Sequence, residues 1–204
     1  MNLFTKNRQT KTKLLMLILA TSLFAYLFYT FLKYSSQSIE QRVELRERTW
    51  FKVIGVLIVV QLAMGALMAG MKAALVFPYP FMFLKFELVN NFFMDSSALS
   101  SIDWYDYEPN PIIKIIVQII HRSIAYIILG LSIWIFIVNR VKMFIMTSYL
   151  FFYLFLFLQV VLGVLTAMNS FGQIPVVLGV LHQGVAFLVL ASYIWILYSS
   201  KRRR

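Results

Sequence analysis

Residues 112–138 read IIKIIVQIIHRSIAYIILGLSIWIFIV, and this stretch decides the fold. At a helical rise of ~1.5 Å per residue it is long enough to cross the ~30 Å hydrocarbon layer of a bilayer. Four more apolar runs accompany it, at 14–32, 51–71, 143–168 and 174–198. In a membrane such unbroken runs must be helices, because a helix satisfies its own backbone hydrogen bonds where water is absent. The expected fold is therefore all-α and polytopic: a four-helix transmembrane bundle with one extra N-terminal apolar helix. Composition agrees, since 61% hydrophobic residues against 13% charged leave too little polar surface for a soluble domain.

The runs divide the chain. Residues 1–49 hold the N-terminal apolar helix and a charged connector, in which Gln37–Thr49 reads as a solvated helical extension. Residues 50–200 form the four-helix bundle, and 201–204, KRRR, are a basic tail. Within the bundle, 72–111 is the one sizeable segment outside the membrane, with Glu87, Asp95, Asp103, Asp106 and Glu108 and four of the five prolines. Short turns are expected at Asn139–Lys142 and Asn169–Gln173, the latter followed by Pro175, which suits a first helical turn.

Charge sets orientation. Segments 33–49, 139–142 and 201–204 together carry ten basic residues, against two in 72–111. The positive-inside tendency therefore puts both ends of the four-helix unit on the cytoplasmic or matrix side and 72–111 on the extracytoplasmic side. The N-terminal helix fits this poorly, since KNRQTKTK ahead of it wants the same side as its C-terminal flank. A net charge of +11 is explained by these flanks and by anionic lipid, so the bilayer is the expected partner and nucleic acid is not. The absence of cysteine excludes disulfides, thiolate metal sites, iron–sulfur clusters and thioether-linked heme.

An internal repeat underlies the bundle. The second run contains Gln61, Gly65 and Ala69, and the fourth contains Gln159, Gly163 and Ala167, both as Q-x3-G-x3-A. Spacings of four put all three residues on one helix face. Small residues there allow close packing, and a buried glutamine needs a partner. Each such helix is followed by one with a histidine, His121 and then His182, so the chain reads as a helix pair used twice.

These are the only histidines. Both helices enter from the 72–111 side, His121 nine residues below Ile112 and His182 eight below Ile174, which is roughly 12 to 14 Å deep in each case. Either imidazole alone could be a hydrogen-bonded packing residue. Together, at matched depth on parallel helices, they can ligate one iron from opposite faces. Zinc or di-iron sites would want carboxylates, and all eight acids lie outside the runs. Two nitrogen ligands fit heme, whose porphyrin supplies the remaining equatorial donors.

Arg122 follows His121 at a depth where a guanidinium needs a counter-ion and no helix carries a carboxylate. A heme propionate would serve, as would snorkelling or an acid folding in from 72–111. Gln118 and Gln183 are candidates to orient ligands or bond propionates, with Gln61 and Gln159 as further cofactor-binding candidates. No residue is assigned a catalytic role.

The stretches QLAMGALMAGMKAAL, FPYPFM, NPIIKIIVQIIHRSIAY, QVVLGVLT and IPVVLGVLHQGVAFLVL, spread over about residues 42–198, resemble the heme A synthase family of cytochrome oxidase assembly proteins. Ala74 stands where that family usually has a glycine. The family's fold is two homologous four-helix bundles, and this chain is similar to the C-terminal one. The resemblance implies a b-type heme, with its iron, between His121 and His182, and a role in oxidising the heme O ring methyl toward the formyl of heme A. It implies that the substrate and its glutamate belong to the other bundle, and that residues 14–32 correspond to that bundle's last helix, which would explain their flanking charge.

The expected function is heme A synthase or its split C-terminal half. The alternatives are a non-catalytic b-heme module for electron transfer or oxidase assembly, and a truncated fragment. Expected partners are heme O and heme A, an N-terminal half bundle or a second copy of the chain, and heme O synthase or oxidase assembly factors. The expected location is a bacterial inner (plasma) membrane, with a mitochondrial inner membrane as the alternative.

Overall fold

The computed structural model describes residues 3–35, 48–76, 78, 79, 90, 110–145 and 147–199. They form five long helices: α1 (Leu3–Tyr34), α2 (Arg48–Gly70), α3 (Pro111–Ile145), α4 (Thr147–Met168) and α5 (Val176–Ser199). No strand occurs among the described residues. Each helix contains a stretch long and apolar enough to span a membrane: Leu15–Tyr34, Thr49–Gly70, Pro111–Asn139, Thr147–Met168 and Val176–Ser199. The protein is an all-α, multi-pass membrane protein. Of the Gln37–Thr49 connector only Arg48 and Thr49 are described, and they open α2; most of 72–111 likewise lies outside the described residues.

Local chemistry fixes the helix ends. Asn110 caps α3, its Oδ1 accepting from the backbone N–H groups of Ile112 at 2.9 Å and Ile113 at 3.4 Å. Pro111 follows at the position where its missing N–H is harmless. At the end of α2, Met71 N–H still reaches the Leu67 carbonyl at 2.9 Å, and Lys72 then turns left-handed at φ 51°. A single 3-10 turn, Ala73–Leu75, completes this elbow. The exit of α4 is sealed by Ser170, whose hydroxyl donates to the Thr166 carbonyl at 2.6 Å, before Gly172 reverses the chain at φ 73°. The Pro175 carbonyl accepts the first bond of α5, from Gly179 N–H at 2.9 Å.

Three helices start away from the ends of their apolar runs, α1 at Leu3, α2 at Arg48 and α5 at Val176, and the connection between α3 and α4 differs in form. Asn139 leaves helical geometry at φ −117°, ψ 17°, with its amide donating to the Ile135 carbonyl at 3.2 Å, but the helix resumes through Ile145. The fourth helix therefore starts at Thr147 rather than 143. The break thus falls where the expected Asn139–Lys142 turn begins, and residues 140–145 add a short helical stretch beyond the kink before α4.

Within the bundle α2 packs on α3 and α4 on α5, and α1 lies along α2 and α5. Phe24 meets Phe187 edge-to-face at 5.3 Å and Tyr29 meets Tyr198 at 6.0 Å, so α1 runs parallel to α5. The basic start of α1 is thus at the same end of the bundle as the 72–76 elbow. The main core lies at the opposite end, where Phe51, Ile54, Ile58, Ile128, Ile135, Tyr149, Phe152, Leu156, Tyr193 and Ile196 interlock. Gly55 allows the Tyr193 phenol to lie against α2, where any Cβ would collide with the ring. Apolar packing is concentrated at this end, and the polar residues of the repeat occupy the other.

Candidate functional site

The Q-x3-G-x3-A helices and the histidine helices meet as the repeat requires. On α2, Gln61 presents its amide nitrogen to Nε2 of His121 on α3, 3.2 Å away. On α4, Gln159 presents its amide nitrogen to Nε2 of His182 on α5, 3.3 Å away. One turn beyond each glutamine a glycine lies beside the imidazole. A Cβ on Gly65 would stand 3.5 Å from Cε1 of His121, and one on Gly163 would stand 3.1 Å from Cε1 of His182. Glutamine, glycine and histidine thus form one three-residue cassette, built twice.

Both cassettes leave the same atoms unused. Nδ1 of each histidine and Oε1 of each glutamine are buried with no hydrogen-bond partner among the described residues. In a protein interior such groups cost about 1–3 kcal/mol each, so a pair of them recurring at equivalent repeat positions calls for a chemical reason. Among the described residues no three or more His, Cys, Asp or Glu side chains gather, so a metal cage made of protein ligands alone is not built there. The donor set is two imidazoles, each over a backbone without a Cβ. That fits a planar metal chelate carrying its own equatorial nitrogens.

The other candidates separate into distinct places. Arg122 is buried at 9% exposure beside His121, within electrostatic reach of Tyr126 one turn on. Gln118 is 1% exposed and donates its amide to the Ala73 carbonyl, which ties α3 to the elbow. Around that bond Met71, Ala73, Ile113 and Val117 form a second small core, with Met64, Leu67 and Met68 against it. Gln183, by contrast, is exposed on α5. Lys72 is exposed and Lys114 half-buried near the same mouth. From sequence, Gly65 and Gly163 read as packing residues; their place beside the imidazoles is signalled only by their fixed spacing from the glutamines.

Comparison with known proteins gives one family. The model of a family described as cytochrome oxidase assembly protein matches residues 2–194. The chain is similar to a heme A synthase of Ehrlichia ruminantium (strain Gardel), 33% identical over 186 residues, which are 91% of this chain and 49% of that protein. It is 31% identical over 186 residues to a heme A synthase of Ehrlichia canis (strain Jake), again 91% of this chain and 49% of the relative. A heme A synthase of Rickettsia rickettsii (strain Sheila Smith) is 27% identical over 195 residues, covering 88% of this chain and 51% of the relative. The chain spans about half the length of the curated relatives it matches. No solved structure matches.

Proposed function

The chain belongs to the cytochrome oxidase assembly protein family, and from that premise we propose that it serves heme A biosynthesis, as a heme A synthase or its C-terminal half, with a b-type heme held between His121 and His182. The observation that carries this reading is the duplicated cassette: two histidines on helices of equivalent repeat position, each held by a glutamine and flanked by a glycine. A heme held there would supply one-electron transfer. His121 and His182 would hold its iron, and Arg122 would meet a propionate. Gln118 would shape the mouth on the His121 side by holding the elbow, whereas Gln183, exposed on α5, would add little to holding the group.

This division of labour limits what the half can do alone. Oxidising the ring methyl of heme O to a formyl removes electrons and inserts oxygen, which requires a second heme-shaped site and an acid–base group beside the methyl. None of the described helices contains an Asp or Glu, and this chain has one histidine pair. The substrate site would therefore come from a complementary N-terminal bundle or from a second copy, with heme O synthase as the supplier of substrate and oxidase assembly factors as receivers of product. The missing membrane carboxylate also favours a second reading, a b-heme electron-transfer module for oxidase assembly.

The test is heme extraction from a strain that makes heme O, lacks its own synthase and expresses only these 204 residues. Heme A should be absent, and co-expression of an N-terminal half bundle should restore it. Heme A formed by this chain alone would overturn the claim of insufficiency in favour of a homodimer. No restoration would favour the electron-transfer module. We place the protein in a bacterial inner membrane, with the elbow extracytoplasmic. A cysteine introduced at Phe171, exposed at the elbow end of the bundle, should react with an impermeant thiol reagent added outside. Reaction only from the cytoplasmic side would reverse the orientation.

A further inference from the structure

We infer that Gln61 and Gln159 are positioning residues that select which ring nitrogen each histidine offers to a metal, an inference that rests on the heme reading and deepens it. In both cassettes the glutamine amide nitrogen faces Nε2 of the imidazole, at 3.2 Å and 3.3 Å. An amide nitrogen can only donate, so Nε2 is the acceptor and keeps its lone pair. A neutral imidazole that accepts at Nε2 carries its proton on Nδ1. The two glutamines thus set the same tautomer twice, and in that tautomer Nε2 is the electron-pair donor.

The unused atoms point the same way. Each cassette contains a buried Nδ1, which in this tautomer is a donor, and a buried Oε1, which is an acceptor, neither with a partner among the described residues. They are complementary. Were Nε2 to hold a metal, the amide would lose that acceptor, and Oε1 is the buried acceptor each cassette could offer to the Nδ1 proton. A hydrogen bond at the far nitrogen fixes the ring plane and raises the basicity of the ligating one. Gly65 and Gly163 put no Cβ against the Cε1 edge of either ring. The same glutamine would therefore both select the donor nitrogen and support a metal bond there.

The sequence makes a direct test possible, because the chain has two histidines and no others. Nitrogen-15 NMR of ring-labelled, heme-free protein in nanodiscs should show both imidazoles neutral with the proton on Nδ1. In Gln61→Leu and Gln159→Leu the ring of the altered cassette alone should shift toward the other tautomer. Nε2-protonated rings in the unaltered protein, or Leu variants that leave the tautomers unchanged, would overturn the inference without any reference to heme.

The second arm uses heme b added to the same proteins. Each Leu variant should raise the reduction potential and retain heme several-fold less well, while Gln61→Glu and Gln159→Glu, which keep an acceptor oxygen, should lower the potential below their Leu counterparts. Where a Leu variant loses heme altogether, recovery of low-spin heme by the Glu variant at that position supports the inference. Loss in both, or equal potentials in both, overturns it. Failure of the unaltered protein to bind heme would instead overturn the heme reading while the tautomer result still stands.

Discussion

The two cassettes share their core geometry and differ in what surrounds it. His121 is followed by buried Arg122, and its helix is bound to the elbow through Gln118 and the Ala73 carbonyl. His182 is followed by exposed Gln183, and the opening turns of its helix expose Val176, Val177, Val180 and Leu181. At the position equivalent to Gln118 the second repeat has Gly179, which reaches no clamp of that kind. The two halves of the repeat share the groups that would hold a metal, and the charge and the closed mouth lie on one side only. The His121 side would thus suit an anionic edge of the proposed heme, and the His182 side offers an open apolar flank.

The largest effect should come from removing that charge. Arg122→Gln makes the first cassette resemble the second, and losing a charge-assisted contact worth about 1.5–3 kcal/mol should weaken heme retention roughly ten- to a hundredfold. Gln183→Leu, at the equivalent position, should change retention by no more than about twofold. Heme titration into the two solubilised variants compares them, and equal losses would dissolve the asymmetry.

Gln118→Leu comes next. It leaves the buried Ala73 carbonyl without its donor, at a cost of about 1–3 kcal/mol in stability. Hydrogen exchange should speed up at the amides of residues 71–76 while those of 169–173 stay unchanged. Equal exchange at both turns, or none at the elbow, would mean that Gln118 does not hold the mouth.

The smallest contrast lies at the glycines. Gly163→Ala places a methyl 3.1 Å from His182, tight enough that the ring must move, whereas Gly65→Ala places one at an ordinary 3.5 Å from His121. The first should alter the low-spin spectrum. The second should leave it intact and gain up to about 1 kcal/mol from helix propensity. The opposite ranking would show that the His121 ring, and not the His182 ring, is the more tightly seated of the two.

Much of this was legible in the sequence because a bilayer removes choices. A run such as 112–138 has to be helical, and its observed span, Pro111–Asn139, differs by one residue at each end. The cassette was legible in part: equal Q-x3-G-x3-A spacings gave each glutamine a buried face, and each found its histidine across the helix pair. Features that depend on contacts distant in sequence were not legible. Gln118 and Ala73 are 45 residues apart, and nothing in either local pattern reveals that a side-chain amide meets a backbone carbonyl. The left-handed turn at Lys72 is equally silent, since lysine has no preference for that conformation. The parallel docking of α1 on α5 rests on aromatic contacts between the two ends of the chain, which apolar runs alone do not specify.

Visible and paramagnetic-resonance spectra decide whether His121 and His182 together ligate one heme, as proposed. The purified protein loaded with heme b should show a single low-spin, bis-imidazole signature. His121→Ala and His182→Ala should each lose it, whether by becoming high-spin or by releasing the heme. An unchanged low-spin spectrum in either variant would contradict the claim.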